Sequence, residues 1–204
     1  MTQQVPDRLS LDGETYTVVG LDGYLTRPAD IGATPGIMST ICYRRYSAQY
    51  AVLHGQLILG GFRGDYTEPP PAVCGIEPTR VVDLGRFALY EYEGLEVACG
   101  SALRVLVGAD PRKGAQFNPW PYPNAFERLV EIRLSNARVV QVIDHSQAIA
   151  AMQPRLDELL CRWEARDRRE SGERDAFDEY RELAWSLSGS MTQQPPLSWT
   201  QDES

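Results

Sequence analysis

Alternation of apolar and polar positions marks strands along most of the chain up to residue 145. Tyr46 to Phe62 is the clearest case. Tyr46, Ala48, Tyr50 and Val52 fall on one face and Ser47 and Gln49 on the other, the period-2 pattern of a half-buried strand. His54-Gly55 supplies a turn. The return run Leu57-Ile58-Leu59 is apolar throughout, as expected of a strand covered on both faces. The spacing predicts a hairpin in the middle of a sheet.

Similar reasoning places further strands. Leu9 to Leu11 and Glu14 to Val19 flank Asp12-Gly13, a pair that accepts the positive φ angles of a type I′ turn. Gly20 to Gly23 is expected to end that second strand. Arg27 to Met38 carries Pro28, Gly32, Pro35 and Gly36, so only one helical turn, at Pro28 to Ile31, is expected there. Gly64 to Gly85 contains Pro69-Pro70-Pro71 and reads as an irregular connection. Strands resume at Arg86 to Tyr92 and Ala102 to Val107, with a turn around Glu93-Gly94 and a short strand at Leu95 to Ala98. Gly108 to Ala125 is a second irregular stretch. Phe126 to Leu134 then alternates well and returns through Ser135-Asn136-Ala137 into Arg138 to Ile143.

From Ser146 the period changes. Leu156, Leu159, Leu160 and Trp163 follow helical spacing from near Pro154, as do Phe177, Tyr180, Leu183, Ala184 and Leu187. A turn at Ser171-Gly172 would make a helical hairpin. Trp163 and Phe177 nonetheless stay nearly in phase, which favours one long, kinked helix ending at Ser188-Gly189. The fold expected is α+β: an antiparallel, twisted sheet or partly open β-barrel of about eight strands over residues 1–145. A C-terminal helix or helical hairpin over 146–189 packs on it, and a flexible tail follows over 190–204.

Composition adds limits. The chain has 204 residues, 43% of them hydrophobic, enough for a sizeable core. A net charge of −8 argues against nucleic acid, because neutralising phosphates needs clustered Lys and Arg. No membrane span and no export signal are legible, so a cytoplasmic location is expected. Lys113 is the only lysine beside a large Arg complement, a bias that points to a GC-rich bacterial genome. Cys42, Cys74, Cys99 and Cys161 are widely spaced, so free and mostly buried thiols are expected. Cys74 and Cys99 form a candidate pair in an oxidising setting.

Phosphate-binding loops, the G-x-S-x-G elbow and H-E-x-x-H are absent, so no cofactor or metal is expected. His145, in Asp144-His145-Ser146, invites two accounts. It is a general base for Cys42 or Cys99, or Asp144 or Ser146 simply caps the following helix; the second asks for nothing unseen. Glu91 with Glu93, and Glu127 with Glu131, read as solvated strand faces, and no catalytic residue is assigned.

Two binding surfaces stand out. Phe117, Trp120 and Tyr122 alternate with prolines in a loop whose rings are held rigidly, either to line a ligand site at a barrel mouth or to fold back as a lid on the sheet. Glu173, Asp175, Asp178, Glu179 and Glu182 form an acidic helix surface that could steer a basic partner, unless it is only a wet helix face. The function expected is a cytoplasmic protein-binding module that neutralises a basic protein, in the manner of a bacterial immunity protein or antitoxin. A small-ligand-binding barrel and a Cys/His hydrolase are the alternatives.

Overall fold

The structure is a computed structural model that describes residues 5–36, 42, 44–113, 121–166, 175–186 and 192–193. It is mixed α+β. Nine strands form one path: β1 (Arg8–Leu11), β2 (Glu14–Tyr24), β3 (Tyr46–Leu53), β4 (Gln56–Tyr66), β5 (Thr79–Asp83), β6 (Ala88–Ala98), β7 (Ser101–Pro111), β8 (Phe126–Ser135) and β9 (Arg138–Asp144). A two-residue β10 (Thr192–Gln193) pairs with β2. The spatial order is β3-β1-β2-β7-β8-β9-β4-β6-β5, and β3 also pairs with β4. The path therefore curls back on itself and is ring-like in part. It is not a closed barrel, because β9 meets β4 through the single pair Gln56 and Arg138.

Turn chemistry explains the hairpins. Asp12-Gly13, His54-Gly55 and Asn136-Ala137 all adopt positive φ, which matches turn twist to strand twist. Pairing is antiparallel except between β1 and β3, where a parallel contact follows from the long excursion after β2. The excursion is pinned from below by Asp7. Its carboxylate accepts from the Ala48 N–H at 2.7 Å and from Arg44 Nη1 at 2.6 Å.

Several expectations need correction. β2 runs through Gly20 to Tyr24, because its bulges opposite β7 absorb the glycines without ending the ladder. β6 runs on through Gly94, whose positive φ falls in a register shift against β4, and the turn lies at Cys99-Gly100 instead. β5 sits inside the stretch read as irregular. The helical turn at Pro28–Ile31 is present as a 3-10 helix.

The C-terminal segment holds α1 (Ser146–Arg166) and α2 (Asp175–Trp185). α1 begins at Ser146 and carries Pro154 internally, so Pro154 does not start it. One long helix is excluded. Arg155 Nη2 lies 2.5 Å from Glu179 Oε1, whereas an unbroken helix would hold residues 24 apart about 36 Å away from each other. The chain reverses, and Tyr180 and Ala184 pack with Ile149, Leu156 and Leu159 over Leu106, Phe126 and Leu129 of the sheet. A larger core fills the inner face of the ring, centred on Phe62 and Tyr92, whose rings stack at 4.5 Å. Among the described residues no helix is long and apolar enough to cross a membrane.

Candidate functional site

Tyr122 is part-buried beneath α2, its ring 5.5 Å from that of Tyr180 and 6.5 Å from that of Trp185. Its phenol is raised by burial. Phe117 and Trp120 lie outside the described residues. On α2, Asp178, Glu179 and Glu182 are exposed. Glu179 bonds Arg155, and Asp178 sits 3.9 Å from Arg181. Glu173 and the Asp175 side chain lie outside the described set.

Neither cysteine reaches His145. The Cys42 thiol donates to the Tyr46 carbonyl at 3.1 Å, and Cys99 is buried in the inner core. All four cysteines are free, and Cys74 and Cys161 are exposed, contrary to the expectation of mostly buried thiols. His145 instead places Nε2 2.9 Å from Glu131 Oε2. Arg133 Nε donates to the other carboxylate oxygen at 2.7 Å, and Arg104, itself bonded to Asp22, stands 4.0 Å away. Glu131 is 2% exposed, so it does not lie on a solvated face. Burial alone would raise its carboxyl, but the bonds from Arg133 and His145 outweigh burial and hold it below the usual range. Capping is also present beside it: Asp144 Oδ1 accepts the Ser146 N–H at 2.8 Å at the start of α1.

Glu91 is likewise buried, whereas Glu93 on the same strand is exposed. Register explains its burial. Glu91 stands opposite Arg63 across β4 and β6 and accepts from its Nε at 2.5 Å.

The same two strands build a concavity that the sequence did not reveal. It is a groove of about 330 Å3 on the outer face, running across β3, β4, β6 and β5. Val82, Leu84, Phe87 and Leu89 form one apolar wall, Val5 and Cys42 face them, and Arg63 and Asp65 lie along β4 between. Cross-strand register puts Asp65 opposite Leu89 and Leu89 opposite Val82. The carboxylate and the two apolar side chains therefore share one face.

Three charged side chains line the groove, Arg45, Arg63 and Asp65. Arg63 is engaged by Glu91, and Arg45 is exposed. Among the described residues no donor or cation reaches the half-buried Asp65 carboxylate, and burial raises its pKa. The buried carboxylates are each paired, Asp7 with Arg44, Glu91 with Arg63 and Glu131 with Arg133. Asp65 was missed because Gly64 to Gly85 reads as an irregular connection, whereas β4 runs on to Tyr66. The apolar wall comes from the end of β5, the turn after it and the start of β6, and the prolines before β5 disguised that strand.

Comparison with protein-family models, curated proteins and solved structures returned no match to this chain.

Proposed function

We propose that the protein is a binding module whose groove takes an apolar molecule carrying one positive charge, an organic ammonium or amidinium. The observation that supports this reading is Asp65. A half-buried carboxylate beside apolar side chains gives up part of its hydration, and burial raises the Asp65 carboxyl pKa. A ligand cation would answer the charge while its apolar body covers Val82, Leu84, Phe87 and Leu89, the usual division of labour in a ligand site.

Titration calorimetry with phenethylammonium, against phenethyl alcohol and phenylpropionate, tests it. The cation is expected to bind at least about tenfold more tightly than its neutral and anionic counterparts, and Asp65→Asn should remove that preference. Equal affinity for the cation and the alcohol would overturn the reading. Binding should also weaken in acid, since protonating Asp65 removes the charge that holds the ligand.

The exposed carboxylates of α2 support a second reading, a basic protein partner neutralised in the manner of an immunity protein or antitoxin. Reversing Asp178 and Glu182 to Lys should then abolish a stoichiometric, salt-sensitive complex recovered from the native host. An unchanged complex would count against it.

A further inference from the structure

β5 occupies the end of the strand path. It pairs with β6 on one side, and among the described residues no strand lies on the other. All five of its residues are exposed. Val81, Val82 and, just beyond, Leu84 are 42%, 41% and 54% exposed. An open edge with a row of apolar side chains invites pairing with another strand.

The charges on that edge say which strand. Arg80 and Asp83 bracket the two valines, are more than half exposed, and face one another at 2.8 Å. They share a face, because Arg80 stands opposite Tyr90 and Asp83 opposite Ala88, with a bulge at Val81 between. We propose that two copies of this chain associate by antiparallel pairing of β5 with β5 about a two-fold axis between Val81 and Val82.

In that register Arg80 lies opposite Asp83 of the partner subunit, and the reverse holds at the other end. Val81 lies opposite the partner subunit's Val82. Two intramolecular ion pairs become one cluster of four alternating charges. Parallel, in-register stacking would instead set Arg80 beside Arg80 and Asp83 beside Asp83, and like charges directly opposite are destabilising. The charge pattern therefore admits the closed, two-fold arrangement and resists open-ended stacking. The bulge adds local twist, which a two-stranded ribbon tolerates well. So short an edge buries little area, and the association belongs to the weak, concentration-dependent class. Val82 and Leu84 also line the groove, but the pairing itself is made by the β5 edge and its charges.

Sedimentation velocity of the full chain over rising concentration tests this. The native protein is expected to pass reversibly from monomer to dimer. Arg80→Asp alone and Asp83→Arg alone should each weaken the dimer about tenfold or more, because each sets like charges opposite one another. Mixing these two variants should restore it, since every charge in the mixed pair again meets its opposite. A native protein that stays monomeric to about 1 mM overturns the proposal. So do single variants that dimerise as well as the native chain, or a mixture that stays monomeric. Both substituted side chains are exposed, and near-ultraviolet circular dichroism confirms that each variant keeps its fold.

Discussion

Glu131 shows how one buried charge ties the outer sheet face together. Its two oxygens are taken by Arg133 and His145, with Arg104 behind, so removing the charge leaves cations facing a neutral amide. Glu131→Gln should destabilise the protein by about 2 kcal/mol at neutral pH, the scale for losing charge-assisted bonds whose donors keep some solvent. The pH dependence has a definite sign. The folded-state pKa of Glu131 is depressed, so its contribution is complete above the unfolded value and is lost as pH falls through the folded one. Urea unfolding across an acid series should show the gap between native and variant closing at low pH. A gap independent of pH would refute the account. Alternation correctly separated Glu131 from the inner apolar face of β8. That the outer face is also covered, by the start of α1 and by Arg104 of β7, depends on contacts between distant segments and was not legible locally. The same holds for Glu91, whose burial comes from pairing with Arg63 one strand away.

At the scale of the element, β4 carries the greatest demand, for it pairs with β3, β6 and the tip of β9. Register shifts occur on both sides of it, between Gln49 and Tyr50 on β3 and between Leu59 and Gly61 on β4 itself. Gly61 makes the resulting close approach possible: a Cβ there would stand 2.5 Å from the Tyr92 carbonyl oxygen, and that neighbour is backbone in a paired strand. Gly61→Ala is therefore expected to cost about 2 to 3 kcal/mol, as overpacking does, and to weaken amide protection on β6. Unaltered protection from Tyr90 to Glu93 in hydrogen exchange would contradict this. The hairpin containing β4 was the most legible element of all, because period, turn residues and apolar return agree. The bulges were not legible, since they record how two strands of different curvature fit. For the helices, in-phase apolar faces were compatible with one helix or two, and only the Arg155–Glu179 contact decides.

The molecule as a whole is a sheet that bends round almost to meet itself. Its seam is made by two turns: the Leu57 N–H donates to the Ala137 carbonyl and the Val139 N–H to the Gly55 carbonyl, each at 2.8 Å. The α+β character and the succession of hairpins were readable from local pattern. The strand order was not, because β1 beside β3 and β2 beside β7 join residues far apart in the chain. That order matters while the protein is being made. β2 leaves the ribosome early, yet its partner β7 begins at Ser101, several tens of residues later. At ordinary elongation rates the wait is roughly 4 to 15 s, far longer than a hairpin needs to form. During it the first four strands can assemble with one edge of β2 still open, so the nascent chain presents a sticky half-ring to whatever chaperone or neighbouring polysome is at hand until β7 arrives.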